Sequence, residues 1–419
     1  MRIRNMFKEI TVSILIGFIA GGAAYIFNWL ITKSVSSTIA LLKFSRLFYI
    51  LMPLIAALIT YILFKMYLKR NDTGLGIVQV LVELEEIKTL LMKPVSVLVH
   101  IIGALTTLIL GLSAGRFGPV VHLGASIGSN IGHFFNVEED KLRLFIGCSA
   151  AAAIAGVFRM PFFGAVFVLE VLYKKQFFEF FSPILISSFT ASVLSSLLGS
   201  TGVPRLDIVY NFELGLSNFP IYLLFGLFIG VVAFLYIECI ELSSNFFNRF
   251  KSSGIRYFIG ALIIGIISFM FPLNFEIHAN TTYNLLIGSY SAKILLLIGV
   301  IKLLSTGITL GSGFLGGNFY PGVTVGASLG MYFGSIVSQI TGYAEGSPLF
   351  GILGVGGIIG GYFNAPISGI VLALEFANSF SVVMPAIIVT AVSVSVVYYI
   401  YGKDIFTNTY NNIMKNLKI

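Results

Sequence analysis

GRFGPVVHLGASIG, residues 115 to 128, returns as GGNFYPGVTVGASLG, residues 316 to 330. From Pro119 and Pro321 onward the two share Pro, Val, Gly, Ala, Ser and Gly in register, at an offset of 202 residues (321 − 119). A second pair follows in the same order. PFFGAVFVLE from Pro161 matches PISGIVLALE from Pro366 through Gly164/Gly369, Val166/Val371, Leu169/Leu374 and Glu170/Glu375, at an offset of 205 (366 − 161). Chance similarity of Gly-rich apolar sequence does not explain two blocks recurring in one order, so the chain contains itself twice. The repeats run over about 45–200 and about 214–402.

Composition supplies the medium. Of the 419 residues only 11% are charged and 57% are apolar, whereas about 25% charged is usual for a soluble globular chain. No Asp, Glu, Lys or Arg interrupts Ile10 to Thr32, Leu47 to Phe64, Pro94 to Gly115, Phe180 to Pro204, Leu214 to Ile237, Leu303 to Ala344, Gly346 to Leu374 or Phe376 to Gly402. Each run matches or exceeds the roughly 18 to 20 residues that cross a bilayer as a helix. They are apolar on every face, where a β-barrel needs alternation. The expected fold is an all-α polytopic membrane protein in the cell (plasma or inner) membrane, with the lipid bilayer as its surroundings.

The net charge of +8 is scattered or near the ends, so membrane topology accounts for it and nucleic acid is not an expected partner. Arg2, Arg4 and Lys8 before the first run, and Lys403, Lys415 and Lys418 after the last, place both termini in the cytoplasm and imply an even number of crossings. The first run lacks a small-residue cleavage site and reads as an ordinary span. Cys148 and Cys239 lie far apart without CxxC spacing, so no disulfide scaffold, metal site or cofactor is expected, and both read as buried small hydrophobes.

In each repeat a Gly-rich stretch precedes a proline, after which a short apolar helix begins at membrane depth. Proline suits a first helical turn. Such a start leaves backbone N–H groups and a positive dipole end in a dry place, tolerable only beside a cavity or an ion. A pair of repeats with broken helices brings both N-termini together near the midplane and predicts an anion site. The spacings Gly124/Gly128 and Gly326/Gly330 suit close helix packing.

These blocks resemble the CLC family of chloride channels and chloride/proton antiporters, and the resemblance runs from about Met6 to about Tyr410. It implies an inverted-repeat helical fold in a single transmembrane domain, a homodimer, and one anion path per subunit, without appended cytosolic nucleotide-binding domains. The departures carry the functional reading. Gly74-Leu75-Gly76-Ile77-Val78 resembles the family's GSGIP turn, with Leu75 in place of the anion-binding serine. Gly115-Arg116-Phe117-Gly118-Pro119 resembles the GxEGP turn, with Phe117 at the gating glutamate. The GxFxP turn survives as Gly317-Asn318-Phe319-Tyr320-Pro321. Phe406 stands at the pore tyrosine. The internal glutamate that follows the first repeat's final Glu in proton-coupled members is here Val171, after Glu170.

Both titratable positions are thus lost, and the resemblance implies passive movement of chloride without proton coupling, since exchange needs a titratable relay. Backbone N–H groups remain as sequence-tolerant anion donors. The rings of Phe117, Phe319 and Phe406 either turn positive rims to the ion or block it, and both readings stay open. Glu170 and His122 are the candidates for a different proton relay, although the twin Glu375 argues that Glu170 is structural. His122 reads first as a hydrogen-bonded structural histidine, and His100 as a part-time positive charge where many members carry Lys. Arg116 and Arg159 read as snorkelling or pairing with backbone carbonyls, and Lys302 as an interface anchor. A carrier of fluoride, bicarbonate or another small anion is the alternative. Gly111-Leu112-Ser113-Ala114-Gly115 formally matches a hydrolase nucleophile pattern but lacks its strand-turn-helix context, so no catalytic residue and no enzyme is expected.

Overall fold

The structure is a computed structural model and describes residues 2–67, 76–85, 94–200, 202–203, 206, 218–276, 279–288, 290–341 and 346–401. Gly74, Leu75, Phe406 and the basic residues after 401 lie outside them. In chain order the helices are α1 (Arg2–Leu42), α2 (Phe48–Tyr67), α3 (Ile77–Glu85), α4 (Pro94–Ile109), α5 (Phe117–Phe134), α6 (Glu139–Phe158), α7 (Pro161–Leu172), α8 (Phe177–Leu197) and α9 (Phe219–Phe247). They continue as α10 (Ser253–Met270), α11 (Leu273–Glu276), α12 (Ala279–Ile287), α13 (Ala292–Gly311), α14 (Phe319–Thr341), α15 (Gly346–Phe363), α16 (Pro366–Ala377) and α17 (Val383–Tyr401). Among the described residues there is no strand, and nine helices are long and apolar enough to cross a membrane. Helices apolar on all sides satisfy every backbone group internally and suit a hydrocarbon solvent. The expected all-α membrane fold is what the chain adopts.

The internal repeat is written in the backbone as well as in the side chains. Gly111 and Gly313, 202 residues apart, both hold positive φ, at 83° and 95°. Arg159 and Asn364, 205 residues apart, close α6 and α15 in the left-handed region, at 55° and 50°. Two chain segments share these unusual conformations at the two offsets of the sequence blocks. Packing repeats too: α5 lies on α6 as α14 lies on α15, and α1 lies on α6 and α8 as α9 lies on α15 and α17. The glycine spacings explain the close approach. A Cβ at Gly128 would sit 2.4 Å from the Phe145 carbonyl, and one at Gly330 would sit 2.2 Å from the Phe350 carbonyl. In lipid such contact between backbones, and the dispersion it brings, replaces the hydrophobic effect as the force between helices.

The two halves also finish each other's helices. α7 and α16 start with proline, so their next two N–H groups lack intrahelical acceptors. The Glu375 carboxylate at the end of α16 accepts from Phe162 N at 3.2 Å and Phe163 N at 2.8 Å. The Glu170 carboxylate at the end of α7 accepts from Ile367 N at 3.0 Å, Ser368 N at 2.7 Å and Ser368 Oγ at 2.6 Å. Each glutamate supplies negative charge where a helix dipole is positive. This crosswise capping favours a structural role for both residues. Glu170→Ala strands three donors in a membrane interior at about 1–3 kcal/mol each before relaxation. The expected result is a fall of several degrees in the thermal unfolding midpoint in detergent, with Glu170→Gln between it and wild type. An unchanged midpoint would contradict the capping role.

Two smaller expectations meet the structure differently. Cys148 is buried, but Cys239 is only half-buried, its thiol directed at the Leu303 carbonyl at 3.7 Å. Lys302 is not an interface anchor, because it is 4% exposed and sits in the middle of α13.

Candidate anion pathway

Three turns meet at the centre. The turn before α5 and the turn before α14 form an antiparallel bridge, Gly115 N donating to Gly317 O at 2.6 Å and Gly317 N to Gly115 O at 2.7 Å. This reciprocal pair is what a pseudo-two-fold axis between inverted repeats requires. Gly76, at φ 107°, opens α3 beside them. A Cβ on Gly76 would lie 3.4 Å from Gly118 Cα, and one on Gly118 would lie 3.3 Å from Gly317 Cα. The positive φ of Gly76 requires glycine, and so does the position of Gly317, where a Cβ would meet Gly118 N at 2.7 Å. The N-termini of α3, α5 and α14 therefore converge. The N–H groups of Phe117, Gly118, Phe319 and Tyr320 occupy first-turn positions without intrahelical acceptors, and their dipoles favour negative charge between them.

Rings fill the space beside those turns. Phe117 and Phe319, both buried, stack face to face with centroids 4.0 Å apart and planes 15° apart. Phe167 meets Phe117 edge-on at 4.9 Å, while Phe158 and Phe163 close in at 5.7 Å and 5.9 Å. Phe363 completes the group against Phe167 at 5.1 Å. In the stacked pair each ring covers a face of the other. Sequence reading named Phe117 and Phe319 and missed the other four. A signal existed for two of them: Phe158 and Phe363 are 205 residues apart and so occupy one repeat position. Phe163 and Phe167 face Ser368 and Leu372 in the repeat and carried no such mark.

Arg116 is neither a snorkelling residue nor a partner of backbone carbonyls. It is buried, its guanidinium lies 5.5 Å from the centre of the Phe158 ring and 5.6 Å from that of Tyr320, and its Nη1 donates to Asn28 Oδ1 of α1. A planar cation between two π faces is thus held in place with no carboxylate partner among the described residues. Arg159 does pair with a carbonyl, that of Ser200 at 3.1 Å.

Asn318 is tied on both sides of its turn. Tyr236 Oη donates to the Asn318 carbonyl at 2.7 Å, and Asn318 Nδ2 donates to Tyr362 Oη. Tyr401 Oη donates to Glu241 Oε1 further along. None of these four partners was read from sequence, because they come from α9, α15 and α17. His122 is buried in α5 with its ring edge-to-face on His100 of α4 at 6.0 Å, and His100 Nδ1 meets the Ser96 carbonyl at 2.8 Å. Glu170 is occupied as the cap of α16. Among the described residues no cluster of His, Cys, Asp and Glu is suited to a metal ion.

A family model described as voltage gated chloride channel matches residues 55–398. A putative chloride channel protein, ClcB-like, from Ralstonia nicotianae is 30% identical over 302 residues, covering 69% of this chain and 68% of its own length. The H(+)/Cl(-) exchange transporter ClcA of Klebsiella pneumoniae is 26% identical over 421 residues, covering 96% and 87%. Among solved structures, a slow cyanobacterial Cl-/H+ antiporter superposes with a TM-score of 0.88 at 21% identity, covering 98% of this chain and 99% of that one. A CLC-type fluoride/proton antiporter gives 0.81 at 25% identity, covering 93% and 95%. With its inverted repeats, convergent helix ends and family match, the chain belongs to the voltage gated chloride channel family.

Proposed function

We propose that this chain moves chloride passively across the membrane, without exchanging protons, and that the Phe117–Phe319 stack is its closed gate. The observation that carries the reading is the ring at 117. It stands at the N-termini of α5 and α14, where an exchanger needs a carboxylate that alternates between charge states, and a phenyl group has no proton to exchange. The nearest acidic candidate from sequence, Glu170, is committed to three donors of α16. With Leu75 in place of a serine, the ion is held by backbone N–H groups of Phe117, Gly118, Phe319 and Tyr320, assisted by the fixed charge of Arg116. Conduction requires the stacked rings to part.

The reading extends to a homodimer in the cell (plasma or inner) membrane with one path per subunit and both termini cytoplasmic. The two repeats form one transmembrane domain, the second over about 214–402 and the first extended from about 45–200 to take in α1, which packs on α6 and α8 as α9 packs on α15 and α17. Relatives described as exchangers and as a fluoride/proton antiporter make coupled transport of chloride or fluoride the second reading.

The test records chloride efflux and proton movement together, from liposomes holding the purified protein, under a chloride gradient with the potential clamped by valinomycin and potassium. Chloride efflux without stoichiometric proton uptake is the expected result. Coupled protons would overturn the passive reading and direct attention to His122 and Glu170. Silence toward chloride with flux of fluoride or bicarbonate in the same vesicles would reassign the ion.

A further inference from the structure

Lys302 is a buried ammonium that no carboxylate answers. It is the eleventh residue of the 20-residue span α13 and only 4% exposed. At 1.5 Å per residue it lies about 13 Å from the nearer helix end, nine residues on, beyond what a four-carbon stem covers by snorkelling. Among the described residues it forms no ion pair. Of the elements packed on α13, α9, α14 and α10 offer no partner among the described side chains, and α11 carries Glu276 at its end. On α9, Glu241 holds the Tyr401 hydroxyl and Glu238 does not pair with Lys302, while Cys239 turns its thiol to the Leu303 carbonyl. α14 carries no charged residue, and Arg256 of α10 is bonded to Asn248. An uncompensated charge in a low-dielectric interior costs several kcal/mol, a cost relieved either by loss of the proton or by an anion held beside the amine.

The surroundings favour the anion. Ser305, one turn on and fully buried, has a hydroxyl without a partner. Thr306 donates to the Lys302 carbonyl at 2.8 Å and its hydroxyl meets that of Ser113 at 2.9 Å. The Tyr236 hydroxyl lies beside Thr306 and donates to the Asn318 carbonyl at 2.7 Å. Polar groups therefore run from the Lys302 carbonyl, through Thr306 and Tyr236, to the turn that starts α14. A cation and a vacant hydroxyl at one end of a polar seam, in a chain of this family, call for a small anion.

We propose that Lys302 and Ser305 hold a monovalent anion of the chloride class, forming a second station of the path beside the one at the helix N-termini. This rests on the reading of the chain as an anion transporter, but not on that transport being passive. The ammonium and the Ser305 hydroxyl donate to the ion, and the ion supplies the missing counter-charge.

Binding is tested apart from flux. The full-length protein in detergent is unfolded thermally over a chloride series, with gluconate keeping ionic strength constant. Each bound ion contributes a stability that rises with the logarithm of its concentration. Wild type is expected to show a slope of two ions, Lys302→Met a slope of one, and Lys302→Arg a slope near wild type. Ser305→Ala is expected to keep two ions but to need about ten- to a hundredfold more chloride at the weaker site, the loss of one charge-assisted hydrogen bond. Gel filtration verifies that each variant is folded, and if Lys302→Met collapses, Ser305→Ala decides alone. Equal slopes in wild type and Lys302→Met, or equal chloride dependence in Ser305→Ala, overturn the site. A proton-coupled flux in liposomes with the slopes as expected would remove the passive reading and leave this site standing.

Discussion

Phe117→Glu is expected to make anion flux fall about tenfold or more between about pH 3.5 and about pH 6.5, a range across which a glutamate of ordinary pKa near 4.3 passes to its charged form. Wild type is expected to stay flat over the same range. The substitution puts a carboxyl at the junction of α5 and α14 in place of a ring stacked 4.0 Å from Phe319. Below its pKa the group is neutral, and the helix ends remain open to the anion. Above it the carboxylate is drawn to the same N–H groups and competes with the ion. Flux is therefore present at low pH and lost as pH rises through the pKa. Burial shifts that pKa upward and the helix dipoles shift it downward, so the midpoint of the profile reads which dominates. Phe117→Leu serves as control, since it opens the stack without adding a proton. A flat profile for a folded Phe117→Glu variant would remove residue 117 from the path.

Gly317→Ala is expected to lower flux at least as strongly, for a steric reason. A Cβ there would lie 2.7 Å from Gly118 N, 3.1 Å from Gly115 O and 3.3 Å from Gly118 Cα. All three are backbone atoms, so no side chain can swing aside. The bridge between the repeats must open or the turn must shift, and displacing binding groups by about 1 Å costs on the order of 100-fold in function. Gly22→Ala is the matched control, because its nearest neighbour is the Leu194 Cδ2 methyl at 3.8 Å. Initial chloride efflux from liposomes, normalised to incorporated protein, measures both. Wild-type flux in Gly317→Ala would mean that ions do not pass where the turns cross.

What could be read beforehand follows from what is local. Glycine and proline spacings near 119, 161, 321 and 366 mark turns and helix starts, because φ limits and the missing proline N–H act within a few residues. The repeat then places like ends opposite each other. The partner of a side chain is not local. Glu170 and Glu375 were recognisable as twins, but whether each caps its own repeat or the other depends on how the halves dock. The four further rings around Phe117 arrive from α6, α7 and α15, and the buried state of Lys302 depends on α9 and α14 covering it. Arg116 was misread for the same reason: its neighbours Asn28 and Tyr320 come from the first helix and from the opposite repeat.

Crosswise capping has a consequence for biogenesis. The N–H groups of Phe162 and Phe163 enter the membrane long before Glu375 has been made, with roughly 200 residues of synthesis in between. At about 5–20 residues per second, the ribosome takes about 10–40 s to supply the missing acceptor. During that interval the nascent first half carries an unfinished helix end in the bilayer, which water or an insertion factor must satisfy. Slow or stalled translation between α8 and α16 should therefore lengthen exposure to quality-control proteases, even though every residue made so far is correct.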